Sequence, residues 1–302
     1  MRTLLGTMAL CFILVNAQAQ DHNWWQKNVN WDGVSHWSSY ITSSAGMLGP
    51  NGLPVPTLTS GKSDSVSFAK LGVVGHYKVG DQTRNITTQL SMNLVKERLS
   101  LSLYMVPVEW FSLSHNLKEE RKIFYQHYDK SSAIGDLYVD TNMQFLRQNE
   151  HKLDAALRIG LKTATSNNQG AARFTNAPGY YFDVSVGKSF GIAGSGLRQR
   201  LQGMLGFYAW QTNKDWQQQD DAILYGIAYQ LILQKLVLEQ SVSGYWGYLN
   251  NGDRPVIYKA DLSKQFGALK GAVFYWHSLH DYNYTSFGTT VSYTFTKEAL
   301  LR

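Results

Sequence analysis

The 302-residue chain contains one cysteine, Cys11, which excludes a fold held together by disulfide bonds. Charged residues make up only 17% of the sequence, below the roughly 25% that is usual in soluble domains. After the first twenty residues there is no apolar run of the ~20 residues that a membrane-spanning helix needs. Disorder is excluded as well, because disordered chains combine few aromatic residues with a high net charge.

Aromatic residues are abundant, at 13% of the sequence, with 18 Tyr and 9 Trp. Few charges and many aromatic side chains fit a large soluble protein poorly. They are typical of strands that meet lipid through alternate residues, with small or polar side chains on the other face. The net charge of +6 is scattered, and its longest mixed cluster is residues 118–122. We therefore interpret this cluster as a solvated loop and expect no nucleic-acid partner.

The first residues have the features of a signal peptide. Arg2 supplies a positive charge, residues 4–15 form a short apolar core, and an A-x-A site precedes cleavage after Ala19. A membrane anchor would need a longer core. A lipoprotein would need a small residue before Cys11, where a leucine stands. The sequence therefore predicts export and removal of residues 1–19.

Residues 21–61 differ from the rest of the chain. They contain four of the nine tryptophans, and residues 49–56 contain three of the six prolines. Proline lacks the ladder donor, so this segment is not a central strand. Because four indole rings favour burial, we expect an ordered extended segment and not a free tail. The sequence leaves open whether the segment plugs a barrel or lies on its periplasmic rim.

From residue 64 onward, apolar residues recur at every second position, as in 153–161 and 287–295. Twelve strands are predicted, at residues 65–78, 84–95, 98–113, 136–147, 152–164, 179–190, 198–211, 221–234, 235–249, 255–265, 268–280 and 284–296. Strands of soluble domains usually have about 5–6 residues, whereas transmembrane strands need about 9–11.

The predicted fold is all-β: a transmembrane antiparallel up-and-down β-barrel of about twelve strands, with ten or fourteen as alternatives. The division of the chain is a signal peptide at 1–19, a Trp/Pro-rich segment at 20–63, a barrel at 64–296 and a tail at 297–302. Longer links are expected at 115–135, 165–178 and 212–220.

Aromatic residues gather at the predicted strand ends, where membrane barrels carry a girdle of amphipathic rings. Ordinary core packing is the alternative. The residues concerned are Tyr180, Tyr181, Phe182, Tyr208, Trp210, Tyr245, Trp246, Tyr248, Tyr282 and Tyr284.

Polar residues on the opposite strand faces are expected to line the barrel interior. They carry both signs of charge, so they either form a network that fills a narrow barrel or border an aqueous path. The candidate lumen-lining residues are Asp140, Asp154, Arg158, Lys162, Asp183, Lys259 and Asp261.

The sequence offers little for catalysis. It contains no G-x-S-x-G, H-E-x-x-H or P-loop motif. His277 and His280 are three residues apart and point to opposite faces of a strand, whereas Ser278 and His280 share a face. Ser278 is thus the only candidate nucleophile of a lipid hydrolase. We expect no catalytic set, no cofactor and no metal site.

The signal peptide, the octet at 49–56 and the long alternating strands together resemble uncharacterised outer-membrane proteins of Bacteroidetes. The run 157–162, followed by a loop ending at 177–180 and an alternating strand, is similar to barrels assigned as transporters in phenol-degradation operons. The resemblance implies an outer-membrane barrel that passes small molecules, and it assigns no site residue. One departure is the tail 297–302 after Phe295, because many such barrels end on an aromatic residue.

The leading hypothesis is therefore a non-enzymatic outer-membrane barrel, a channel or transporter whose partners are membrane lipid and a small solute. A lipid-acting enzyme of the same architecture is one alternative. A structural or surface-interaction barrel that binds a partner through the loop 115–135 is the other. The oligomeric state is open.

Overall fold

The computed structural model describes residues 23–124, 129–191 and 196–295. The expected signal peptide with its cleavage site and the tail 297–302 lie outside the described residues. In the described part there are three short α-helices, and no helix there is long and apolar enough to cross a membrane. The helices are α1 (Asn23–Val29), α2 (His115–Glu120) and α3 (Gln148–His151), with two 3-10 turns at Trp37–Tyr40 and Gln169–Ala171.

Thirteen strands of the described chain form one sheet. They are β1 (Ser67–Lys78), β2 (Asp81–Val95), β3 (Leu99–Leu113), β4 (Lys130–Ala133), β5 (Tyr138–Leu146), β6 (Asp154–Lys162), β7 (Gly179–Gly191), β8 (Leu197–Lys214), β9 (Gln217–Leu233), β10 (Leu236–Gly247), β11 (Val256–Phe266), β12 (Leu269–His280) and β13 (Thr285–Phe295).

The sheet closes on itself, because β13 returns to pair with β1. Strands β4 and β5 pair with different halves of β3 and occupy a single position in the wall. The architecture is therefore a closed antiparallel barrel of twelve strand positions, as predicted. We call the end with links 114–137, 163–178 and 248–255 the loop end. The opposite end, with the short links 96–98, 234–235 and 267–268, is the turn end.

Two details of the prediction are wrong. The long link expected at 212–220 is a tight turn, because β8 and β9 stay paired as far as Lys214 and Gln217. Polar side chains at the end of a hairpin do not prevent pairing of the backbone, so the alternation pattern misses this extension. The short strand β4 was also missed, since its four residues KSSA carry no apolar alternation.

The outer surface of the barrel is apolar. Successive residues of each strand alternate between the outer and inner faces, and many large apolar side chains face outward. Examples with side chains at least two-fifths exposed are Leu71, Val73, Leu161, Phe182, Val184, Leu205, Ile227, Val273, Phe287, Val291 and Tyr293. An exposed apolar area that surrounds the whole barrel is suited to hydrocarbon and not to water.

Replacement of Val73 by lysine tests this surface. Val73 is 58% exposed in the middle of β1. A charge there would enter the hydrocarbon layer, so we expect the free energy of unfolding from lipid vesicles to fall by about 2–4 kcal/mol. The control is Val79→Lys in the turn after β1, where the side chain is 96% exposed beyond the strands. Equal effects of the two variants in a denaturant titration would contradict a lipid-facing wall.

The described part of the chain begins at the loop end. Residues 23–40, the N-terminal cap, pack on the link after β3, where Trp25 Nε1 donates to Lys122 O at 3.0 Å. Trp25 and Trp37 contact the ring of Phe124, with centroid distances of 5.0 and 5.1 Å. The cap therefore buries indole surface, as expected from its tryptophans. In its exposed turn, a hydrogen bond from the Ser35 hydroxyl lowers the pKa of Asp32 to about 2.

Residues 41–64, the lumen segment, run through the barrel from the loop end to the turn end. Near the loop end, Gly46 N donates to Gly252 O at 2.8 Å. Near the turn end, Arg200 donates to Ser60 O at 2.5 Å, and Ser63 N donates to Gln144 Oε1 at 3.2 Å. Of the Trp/Pro-rich segment, residues 41–61 therefore lie inside the lumen, whereas residues 23–40 cap the loop end.

The path of the lumen segment predicts where the cap lies. Outer-membrane barrels keep their short turns in the periplasm and their longer loops outside the cell. We therefore expect Val34, which is 90% exposed in the cap, to lie at the cell surface. The expected cleavage after Ala19 would remove Cys11, and Val34→Cys would then give a single thiol. Intact cells should label it with a membrane-impermeant maleimide.

The matched control is Lys235→Cys, in the short turn between β9 and β10. It should be labelled only after the outer membrane is permeabilised. Labelling of position 235 but not 34 on intact cells would reverse the orientation of the barrel.

Candidate functional site in the barrel lumen

An aromatic layer fills the upper lumen, next to the loop end. Tyr208, Trp210 and Tyr245 are at most 1% exposed, and their ring centroids lie 5.1–5.4 Å apart. Trp210 Nε1 donates to Ser43 O at 2.8 Å, and Tyr245 Oη donates to Leu53 O at 3.0 Å. Both hydrogen bonds end on backbone carbonyls of the lumen segment. The layer therefore holds that segment in place.

The position of these rings corrects the prediction that the strand-end aromatics form a girdle. Of the ten strand-end aromatics, six are buried in the barrel: Tyr181, Tyr208, Trp210 and Tyr245 at inward strand positions, and Tyr282 and Tyr284 in the link before β13. The exposed members are Tyr180, Phe182, Trp246 and Tyr248. The girdle interpretation is wrong for the buried six, where core packing applies.

A buried cluster of charges lies beside the aromatic layer. Arg173, from the link after β6, donates to Asp81 at 2.6 Å and to Glu109 at 2.7 Å. Arg121, from the link after β3, donates to Asp81 at 2.9 Å and to Tyr284 Oη at 2.7 Å. All five side chains are at most 1% exposed. The two positive and two negative charges balance, which is the condition for burying them.

The cluster joins both long links to the barrel wall and to the lumen segment. Asn51 Nδ2 donates to Glu109 at 2.6 Å, and Tyr284 Oη lies 3.4 Å from Leu48 O. A Cβ added at Gly49 would lie 2.7 Å from the guanidinium carbon of Arg173. Glycine at position 49 therefore lets the segment pass directly over Arg173. Links, wall and segment together close the loop end of the lumen.

All seven lumen candidates lie on the inward side of their strands, and four of them take part in ion pairs. Arg158 donates to Asp183 at 2.7 Å through Nε, and its Nη2 lies at the same distance. Lys162 pairs with Asp136 at 2.5 Å. Asp154 binds Arg200 at 2.8 Å near the turn end. These contacts fix neighbouring strands and the link before β5.

The remaining candidates, Asp140, Lys259 and Asp261, form no close ion pair among the described residues. Asp140 accepts a hydrogen bond from Tyr181 Oη at 2.6 Å. The Lys259 ammonium lies 4.9 Å from the ring centroid of Trp276. The Asp261 carboxylate interacts with Lys259, two residues away on the same strand, and with Trp276 on β12. The interior thus contains both close ion pairs and charged groups that no close ion pair joins in the described structure.

A polar cavity of about 300 Å³ remains in the lower lumen. It lies between residues 57–64 of the lumen segment and inward side chains of the wall. Its charged lining consists of Lys62, Lys70, Arg158, Asp64, Asp140 and Glu239. Three cations and three anions give no net charge, and the volume is at the lower limit of small-molecule sites.

Sequence reasoning missed the ion cluster at the loop end. Asp81 and Glu109 occupy inward positions that the period of two would have identified. Arg121 and Arg173 lie in irregular links, and Arg173 meets its partners 92 and 64 residues away in the sequence. A single sequence carries no signal for such pairs.

The proposed nucleophile has other partners. Ser278 Oγ accepts a hydrogen bond from Asn283 N at 3.0 Å, and His280 Nδ1 lies 2.9 Å from Arg254 O. No hydrogen bond joins Ser278 to His280 in the described structure. Ser278 therefore acts within the turn between β12 and β13, whereas His280 contacts the link before β11.

Replacement of Arg173 by methionine tests the ion cluster. The variant leaves Asp81 and Glu109 buried without their shared cation. Breaking a buried pair in this way costs about 3–5 kcal/mol, and we expect that loss in the free energy of unfolding. The control is Arg84→Met on the outward, exposed side of β2, which should change stability by less than about 1 kcal/mol. Equal stability of both variants would show that the cluster does not hold the links.

Comparison with solved structures agrees with the fold. An outer membrane channel of Pseudomonas putida F1, from the COG4313 group, superposes with a TM-score of 0.52 at 13% sequence identity. The match covers 81% of this chain and 97% of that one. LpxR from Salmonella typhimurium gives 0.48 at 8% identity, covering 75% of this chain and 100% of LpxR. The KdgM porin gives 0.44 at 10%, covering 75% and 99%.

At 13% identity, the likeness to the Pseudomonas channel shows the barrel fold alone. No family model matches the chain, and no curated protein matches it by sequence.

Proposed function

We propose that the protein is an outer-membrane channel or transporter for small solutes, described here in its closed state. The observation that carries the proposal is the polar, charge-balanced cavity of about 300 Å³ inside a barrel with an apolar outer surface. The outer surface fits lipid, and the cavity fits a small polar solute. The same proposal includes export of the chain, with cleavage of a signal peptide after Ala19. It also includes a relation to Bacteroidetes barrels and to phenol-degradation transporters.

The closed state has an identifiable cause. The aromatic layer and the ion cluster fill the upper lumen together with residues 43–53 of the lumen segment. The lower lumen contains mainly polar groups and the cavity. Passage of a solute then requires a shift of the lumen segment or of the two long links at the loop end.

The Ser278 hypothesis of a lipid-acting enzyme receives no supporting geometry, because Ser278 and His280 bond to different backbone groups. A partner-binding role of the loop 115–135 is not favoured by a specific contact either. In its described part, this loop packs inward through Arg121.

Replacement of Gly49 by alanine tests the channel hypothesis. The added Cβ would lie 2.7–2.8 Å from the Arg173 guanidinium, which two carboxylates hold in place. The lumen segment must then shift, and we expect a larger single-channel conductance in planar bilayers and faster solute uptake into proteoliposomes. The matched control is Gly271→Ala, where nothing lies within 4 Å of the added atom.

Wild-type protein and Gly271→Ala should show the same low conductance. If no variant conducts or takes up solute, including one without residues 41–60, the transport proposal is wrong. Folding of each variant is verified by heat-modifiable gel mobility.

A further inference from the structure

The outer wall of the barrel has an open groove in its loop-end half. The groove has a volume of about 410 Å³ and is lined by residues of β1, β12 and β13. Gly75 and Thr289 occupy outward positions in it, between the larger side chains of Val73, Val273 and Phe287. Because glycine has no side chain and threonine a short one, the wall is indented at this place.

Aromatic rings border the groove toward the loop end. The ring centroids of Tyr77 and Tyr275 lie 6.5 and 5.0 Å from that of Phe287. Tyr77 and, on β3, Trp110 are about half exposed on the outer surface. Amphipathic rings of this kind lie at the level of the lipid headgroups in membrane barrels. The groove therefore extends from the headgroup level toward the middle of the membrane.

Two cations lie beside the groove at the level of these rings. Arg84 on β2 is the direct partner of Gly75, and its side chain is exposed and points outward. Across β3, Trp110 pairs with Arg84, and the next outward residue, Ser112, pairs with the exposed Lys130 of β4. From the usual spacings of a sheet, the Cα atoms of Arg84 and Lys130 lie about 12 Å apart.

Neither cation has a partner within the protein. In the part of the chain that the structure describes, no side-chain hydrogen bond or ion pair involves Arg84 or Lys130. Asp129, adjacent to Lys130 in the chain, binds Lys118 at 2.6 Å. The carboxylates of β2 and β3 at this end face inward and bind the buried arginines of the ion cluster. Both cations can therefore bind an anion from outside the protein.

We propose that the groove and the two cations form a binding site for one phosphorylated lipid of the outer leaflet, of the lipid A class. The phosphates of the lipid bind Arg84 and Lys130, and one of its acyl chains lies in the groove. Arginine suits this role because its planar guanidinium binds phosphate through two parallel hydrogen bonds. The outer leaflet follows from the expected position of the loop end at the cell surface. The site lies outside the barrel and does not depend on transport.

Other occupants fit the groove and the cations less well. A lipid without an anionic headgroup would fill the groove but would leave Arg84 and Lys130 unpaired. A free phosphate ion would pair with the cations but would cover no apolar surface. A second copy of this chain, in a two-fold contact over the groove, would bring the same two cations to the interface. A phosphorylated lipid matches both the charge and the apolar surface.

Native mass spectrometry of the full chain, released from detergent micelles, tests the site with bisphosphorylated lipid A as the probe. We expect one lipid A molecule to stay bound to the wild-type protein. Arg84→Met and Lys130→Met should each weaken its binding about fivefold, which is the usual contribution of one cation at a charged lipid surface. Thr289→Phe should weaken binding as well, because the larger side chain fills the groove.

The matched controls are Lys188→Met and Val291→Phe. Lys188 is an outward, exposed cation of β7 near the turn end, and Val291 is the next outward residue after Thr289 but does not line the groove. Both variants should bind lipid A as the wild type does.

Three results would overturn the inference. The first is a wild-type protein that retains no lipid A. The second is equal retention of lipid A from which the phosphates have been removed. The third is unchanged binding by the double variant Arg84→Met/Lys130→Met. Heat-modifiable gel mobility of each variant separates loss of the site from loss of the fold.

Discussion

Closure of the sheet by the pairing of β1 with β13 is the constraint on which the rest of the structure depends. In lipid, a strand edge with free N–H and C=O groups costs several kcal/mol for each group, so a sheet must have no edge. The register from Ser67 with Phe295 to Tyr77 with Thr285 removes that edge. Closure also fixes two faces, and each residue of a strand meets either the outer surface or the lumen.

Because the closed barrel has twelve strand positions, the space along its axis must also be filled. A barrel of about eight strands is filled by its own side chains, whereas a wider one leaves space along its axis. The lumen segment occupies much of that space and brings backbone groups into the interior. Tyr245, Trp210 and Arg200 hydrogen-bond to its carbonyls, which accounts for inward polar or amphipathic side chains at these positions. The width of the barrel and the composition of its inner face are therefore linked.

The sequence predicted the features that closure and lipid impose locally. Twelve strands were located to within a few residues, because alternation is strict where one face meets hydrocarbon. The prediction from sequence failed where the environment of a side chain depends on a residue far away in the chain. Tyr180 and Tyr181 are neighbours in the sequence, yet one faces outward and the other packs against Tyr208 inside the barrel. Only the strand register, and not clustering at strand ends, separates them.

The charged residues of the lumen were likewise predictable from the sequence only in part. Their inward direction follows from the period of two, but their pairing depends on which links fold into the barrel. Arg173 neutralises Asp81 and Glu109 because the link after β6 enters the loop end. Asp261, in contrast, has its partners close by, in Lys259 on the same strand and Trp276 on the neighbouring one. The segment thus closes the loop end of the barrel and leaves a polar cavity of about 300 Å³ between its residues 57–64 and the wall.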